Sequence, residues 1–115
     1  MQEVIRVAVC DDIKEDRNAL IKILSDYLDK NNLYVEIDEF PSGEAFLASD
    51  TTRYQLVFMD IFMDKLNGME TAKKLIRDNN KVQIVFASTS IDFAAEAFTI
   101  EALHYIVKPI EETQV

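Results

Sequence analysis

Glycine, proline, cysteine and histidine are all scarce in this chain of 115 residues, which holds two glycines, two prolines, one cysteine and one histidine. So few chain-breaking residues, in a sequence that is 49% apolar, exclude a disordered chain, and no repeat, linker or low-complexity segment interrupts it. One cysteine, Cys10, excludes an internal disulfide and fits a reducing cytosol; its place at the end of an apolar run makes it a core residue. Basic residues are in deficit, with 12 Lys and Arg against 21 Asp and Glu and a net charge of −9. That is the wrong sign for a sequence-independent grip on phosphates, so no direct contact with nucleic acid is expected. An acidic surplus is ordinarily a solvated surface, but it also collects divalent cations. Long apolar runs are missing too: none reaches membrane-spanning length, and Met1-Gln2-Glu3-Val4 lacks the charged-then-apolar form of a signal peptide. The expectation is one soluble, cytoplasmic domain over residues 1–115, with a moderate core and no contact with a membrane.

What the chain does hold is organised around Leu56-Val57-Phe58-Met59-Asp60, four apolar residues running into one carboxylate. A short continuous apolar run reads as a strand buried on both faces, as in a parallel sheet covered by helices. Asp60 then lies at the carboxyl end of that strand, where open α/β sheets place their ligands. A buried carboxylate is costly unless something neutralises or uses it, although on this stretch alone Asp60 could equally cap the loop that follows.

The other elements alternate in the same way. Val4 to Cys10 is mostly apolar and β-branched, a central strand that runs into Asp11-Asp12. Ala19, Leu20, Ile23, Leu24, Tyr27 and Leu28 recur at helical spacing, ending at Asn31-Asn32. Tyr34 to Phe40 alternates like a strand near a sheet edge, and Ser42 is placed to cap a short helix through Ala45, Phe46 and Leu47. After the loop from Ile61 to Gly68, Met69, Ala72, Leu75 and Ile76 mark one helix face, with Lys73, Lys74 and Arg77 on the other. Val82 to Ala87 is a fourth strand ending at Ser88-Thr89-Ser90, and Ser90 is placed to cap a helix from Ile91 to about Phe98. Ala102 to Val107 is a fifth strand, ending at Lys108-Pro109. Five strands alternating with helices argue for a parallel sheet with helices on both faces. Six residues after Pro109 are too few for a fifth helix, which points to a chain cut inside that helix or to a neighbour covering the last strand.

A parallel sheet brings all these strand ends to one edge, so Asp11, Asp12, Asp60, Ser88, Thr89 and Lys108 converge on one pocket. Three close carboxylates cannot all stay ionised unless a cation lies among them; otherwise a pKa must rise. Hard oxygen ligands suit Mg2+, and a lysine with a hydroxyl shapes the pocket for a phosphoryl group. Each part has a plainer reading. Asp12-Ile13-Lys14-Glu15 could be nothing more than a capping arrangement for the first helix, a contribution of ~1 kcal/mol, and Lys108 could be a solvated end charge. Their joint placement at four strand ends is what the plainer readings leave unexplained.

These motifs, Val-Ala-Val-Cys-Asp-Asp, Leu-Val-Phe-Met-Asp-Ile-Phe-Met with Asn-Gly, Phe-Ala-Ser-Thr and Tyr-Ile-Val-Lys-Pro in this order, resemble those of the receiver domains of two-component response regulators. The resemblance spans nearly the whole chain. It implies a flavodoxin-like fold, a five-stranded parallel sheet of order 2-1-3-4-5, with the fifth helix truncated here. It implies that Asp60 is the phosphoacceptor and that Asp11 and Asp12 form the acidic pair, with Asp12 the more direct ligand of Mg2+ (Mn2+ as its substitute). The same metal would take Asp60 and the backbone carbonyl of Phe62, and Phe62 and Thr89 would offer backbone contacts to the phosphoryl group. Ser88 matches the hydroxyl that binds it, Lys108 the pocket lysine and Tyr105 the aromatic switch, and a cis peptide is implied between Lys108 and Pro109. The implied partner is a sensor histidine kinase. The implied action is a self-phosphorylating and self-dephosphorylating switch, not an enzyme turning over an external substrate, read out on the surface around residues 90–107.

The sequence departs from that pattern at Asp64, where a proline is usual, at Lys65, where a glycine is common, and at Phe62, where the residue tends to be polar. An apolar ring there would restrict water and slow dephosphorylation. Phe93 to Phe98 with Ile100, Ala102, Leu103, Tyr105 and Ile106 is most similar to receivers joined to a LytTR-type DNA-binding domain, which implies a transcriptional output carried by another domain. A homodimer through the helix after Ser90 and the last strand is expected. His104 falls on the opposite strand face from Tyr105 and reads as a structural or interface side chain. Three alternatives stand beside the switch: a pseudo-receiver acting as an interaction module, an aspartyl phosphohydrolase, which would want a second acid at Phe62, and a flavin module, which would want a phosphate loop after the first strand.

Overall fold

The computed structural model describes residues 4–31, 34–63, 66–78 and 81–108. Mostly apolar runs form the strands β1 (Ile5–Cys10), β3 (Leu56–Asp60), β4 (Gln83–Ser88) and β5 (His104–Val107), and the alternating segment forms β2 (Val35–Phe40). Between them lie the helices α1 (Lys14–Lys30), α2 (Gly43–Ala48), α3 (Gly68–Arg77) and α4 (Ala94–Thr99), with one 3-10 turn at Thr51–Arg53. All strands pair in parallel in the order β2-β1-β3-β4-β5, the flavodoxin-like order that the receiver-domain resemblance implies. The register sets Cys10 beside Met59 and Asp60 beside Ala87, so β1, β3 and β4 end level at one edge.

Strand alternation splits the core in two. Ala8, Cys10, Val57, Met59, Ile84 and Phe86 face Phe46 of α2, Met69, Ala72 and Leu75 of α3 and Ala97 of α4. Val7, Val9, Phe58, Val85 and Ile106 face Leu20 and Leu24 of α1 on the other side. Helices therefore lie on both faces. Among the described residues the helices number four, and residues 109–115, on which the expectation of a truncated fifth helix bears, lie outside them. No described helix is long and apolar enough to cross a membrane.

The structure shifts several local expectations. Ala19, Tyr27 and Ile76 are exposed; the inner face of α1 uses Ile21 beside Leu20, Leu24 and Leu28 instead. Ser42 does cap α2, its Oγ accepting from Ala45 N at 3.0 Å. Ser90 does not cap α4: its Oγ accepts from Asp92 N at 3.0 Å, closing a turn through residues 91–93, and the helix starts only at Ala94. β5 begins at His104 and not at Ala102, because the Ala102 amide is drawn to Ala97 O at the end of α4. Asn32, Asp64, Lys65 and Pro109, and with Pro109 the implied cis peptide, lie outside the described residues.

Candidate functional site

The carboxyl edge of the sheet collects one acidic cluster. Oxygen atoms of Asp11, Asp12 and Asp60 lie within 4.8 Å of one another, the only such group among the described residues. Asp11 follows β1 and is 6% exposed, and Asp60 ends β3 at 3%. Asp11 is pinned on three sides: Ile13 N donates to its Oδ1 at 2.9 Å, Arg17 Nη1 donates to its carbonyl at 2.7 Å, and Lys108 Nζ donates to Oδ2 at 2.9 Å. Arg17 is itself held by Glu39 at the end of β2, 3.2 Å away.

Asp12 does not cap the first helix. The N-cap of α1 is Ile13 and carries no side-chain cap bond, while Asp12 Oδ1 is buried with no hydrogen-bond partner. Burying such an oxygen without a partner is costly. Set beside two other carboxylates, it is the donor atom a hard divalent cation would satisfy, and an all-oxygen set fits Mg2+.

The electrostatics follow from this crowding. Burial first, then the charge on Asp11, pushes Asp60 up from 3.8 to about 7, with the Lys108 ammonium pulling the other way. For Lys108, burial works against the charged form, but hydrogen bonds to Asp16 and Asp11 outweigh it and raise the group. Its Nζ stands 2.7 Å from Asp16 Oδ2, 2.9 Å from Asp11 Oδ2 and 3.5 Å from Asp60 Oδ1. The lysine reaches this point because its amide donates to Ser88 O at 2.7 Å, extending the β4–β5 ladder to the sheet edge. Cys10, next to Asp11, is raised to about 12 by burial and then by the charges of Asp11, Asp60 and Glu44, so it stays a neutral thiol.

Ser88 ends β4 fully buried, and its Oγ accepts from Ser90 N at 3.2 Å; Thr89 beside it is exposed. Tyr105 is half-buried on the α4 side of β5, 6.4 Å from the Phe86 ring, and its hydroxyl donates to Ser90 O. Ser90, at the head of the β4–α4 turn, is thus bonded through its amide to Ser88 and through its carbonyl to Tyr105. His104 is exposed on the opposite face. Phe62 is 48% exposed and meets Phe93 edge to face at 5.4 Å, so the segment after β3 touches the start of α4.

Three features had no place in the sequence reading: the Asp16 contact, the Phe62–Phe93 contact and the start of α3. Asn67 and Glu70 form a full capping box there, a pattern the Asn-Gly-Met-Glu spelling carries. Gly68 packs on the phosphoacceptor candidate's own backbone, since a Cβ there would stand 2.0 Å from Asp60 O and 2.8 Å from Asp60 C. Gly68→Ala is therefore expected to cost about 1–3 kcal/mol, as overpacking against backbone does. Urea melts measure this, and an unchanged midpoint would contradict the close approach.

A sequence profile described as the response regulator receiver domain matches residues 7–115. Sensory transduction protein LytT of Bacillus subtilis is 31% identical over 113 residues, covering 97% of this chain and 45% of that protein. Sensory transduction protein LytR of Staphylococcus haemolyticus is 31% identical over 106 residues, covering 92% of this chain and 40% of that protein. The chain thus spans less than half the length of these curated relatives. Among solved structures, response regulator protein TrrA from Thermotoga maritima, in complex with Mg(2+)-BeF, matches with a TM-score of 0.70 at 24% identity, covering 93% of this chain and 89% of that one. At that identity the likeness speaks for the fold.

Proposed function

The chain belongs to the response regulator receiver domain family, and we propose that it is a phosphorylation-driven switch in which Asp60 takes a phosphoryl group from the phosphohistidine of a sensor kinase. The observation that carries this reading is the meeting at one sheet edge of Asp60, Asp11, the unpartnered Asp12 Oδ1 and the Lys108 ammonium. Asp60 oxygen attacks phosphorus as the phosphorus–nitrogen bond of the donor breaks, and the imidazole leaves with its electron pair. Lys108 neutralises charge gathering on the transferring oxygens, and the Ser88 hydroxyl would donate to one of them. Asp11, Asp12, Asp60 and the Phe62 carbonyl would hold Mg2+ (Mn2+ in its place), which supplies further charge neutralisation when bound. Water attacking the same phosphorus later restores Asp60. The domain is a switch and not a turnover enzyme.

The reporter is the β4–α4 turn. Ser88 drawn toward a phosphoryl oxygen would give up its bond to Ser90 N, and the same Ser90 is held through its carbonyl by Tyr105. That couples the pocket to the α4–β5 face, with Thr89 contributing backbone contacts at the phosphoryl group. This face carries Ile91, Phe98 and Leu103 exposed around a groove of about 300 Å³, and we place a phosphorylation-favoured homodimer there. The relatives' names indicate sensory transduction; we extend this to transcriptional control through a separate LytTR-type domain in the cytoplasm, with no nucleic-acid or membrane contact by this domain.

Phosphoramidate, whose phosphorus–nitrogen bond stands in for phosphohistidine, tests the reading. The protein is expected to gain one phosphoryl group with Mg2+ and none with a chelator. Steady release of phosphate without a labelled protein would point to a hydrolase, and no label with any donor to a phosphorylation-independent interaction module. Phe62 sets the lifetime in this account. Its ring, braced by Phe93, restricts water at the pocket mouth, so Phe62→Glu is expected to speed loss of label several-fold in Mg2+ buffer. Equal decay in both proteins would remove Phe62 from the mechanism.

A further inference from the structure

Lys108 does not face Asp60 alone. Its two hydrogen bonds go to Asp16 Oδ2 at 2.7 Å and Asp11 Oδ2 at 2.9 Å, while the Asp60 oxygen is farther, at 3.5 Å. Asp16 sits in the first turn of α1, and its bond to Lys108 joins residues 92 apart in sequence. Resting on the function proposed above, we infer that Asp16 is a positioning residue that holds the Lys108 ammonium in the unphosphorylated state and competes with the phosphoryl group for it.

The two acids that bind Lys108 differ in what happens when the pocket fills. Asp11 belongs to the three-carboxylate cluster, so a cation arriving there takes over its charge. Asp16 lies outside that cluster, so a cation bound there would not take over its charge. Its side chain is 36% exposed, against 8% for Lys108, so water can take it over when the ammonium leaves. A phosphoryl group adds up to about two negative charges and three acceptor oxygens, against the single charge of the Asp60 carboxylate. The ammonium then has the stronger attraction on the Asp60 side, and release from Asp16 costs little because water reaches its partly exposed carboxylate. Asp16 thereby raises the threshold for holding the phosphoryl group without touching it.

The sign of the effect separates this from a merely structural role. Calorimetric titration of beryllofluoride, a phosphoryl mimic, into the protein at saturating Mg2+ reads it directly. Asp16→Asn is expected to bind the mimic about two- to fivefold more tightly, the size a partly exposed ion pair carries. Asp16→Glu keeps the carboxylate and is expected to return toward wild-type affinity. An Asp16 that only tied α1 to the end of β5 would give the opposite result, weaker binding on removal. Unchanged or weaker binding in Asp16→Asn overturns the inference while leaving the switch intact. A wild-type protein that takes no beryllofluoride overturns the switch and this inference together.

Discussion

Asp60→Asn is expected to abolish phosphorylation and, in metal-free protein above pH 7, to make the fold more stable than wild type. The second half follows from the site's own electrostatics. Burial and the neighbouring Asp11 raise Asp60 from 3.8 to about 7, so the folded protein holds that proton where the unfolded chain has released it. The contribution is complete below the unfolded value, declines as pH rises through the window between the two, and is gone above the folded value. Above pH 7 the ionised carboxylate is a burden, and its removal is expected to gain on the order of 3 kcal/mol. Urea melts from pH 4 to 8.5 measure it. The variant and wild type should converge toward pH 4 and separate as pH rises, and Mg2+ should narrow the gap by stabilising the three-carboxylate wild-type site more than the variant's two. A variant less stable than wild type at pH 8 would contradict this account of the pocket.

Lys108→Met carries the second large effect, in the opposite direction. The lysine side chain is 8% exposed, and its ammonium lies within 3.5 Å of oxygens from Asp11, Asp16 and Asp60. Removing one partner of a buried pair strands the other charges, which costs about 3–5 kcal/mol in comparable cases. The loss at pH 7–8 should shrink as pH falls and the stranded carboxylates protonate, and it should shrink again with Mg2+. Phosphorylation should fall with it, since among the described residues Lys108 is the cation ion-paired with Asp60. A neutral Lys108→Met at pH 8 without metal would mean that water screens these acids far more than their burial indicates.

The large-scale design was legible in the sequence because its signals were local. Apolar runs such as Leu56–Met59 mark buried strands wherever they occur, and each strand end names its own polar residue. Parallel pairing then forces Asp11, Asp60, Ser88 and Lys108 to one edge without knowledge of any contact. Non-local pairings were not legible. An acid in the first turn of a helix is already explained by the helix dipole, so Asp16 offered no sign that it bonds Lys108. Phe62 was noticed for its chemistry, but its contact with Phe93 depends on where α4 starts, and the Ser90 turn moved that start to Ala94. The capping alternative for Asp12 failed for a similar reason: Ile13 takes the cap position, and the carboxylate turns into the pocket.

The position of the phosphoryl group tests the central claim most directly. Borohydride reduces an aspartyl phosphate to homoserine, so peptide mass spectrometry after treatment with acetyl phosphate, Mg2+ and borohydride reads the acceptor residue. The account predicts homoserine at position 60 alone, absent when Mg2+ is chelated. Homoserine at Asp11 or Asp12, or none anywhere in a phosphorylated protein, would contradict it.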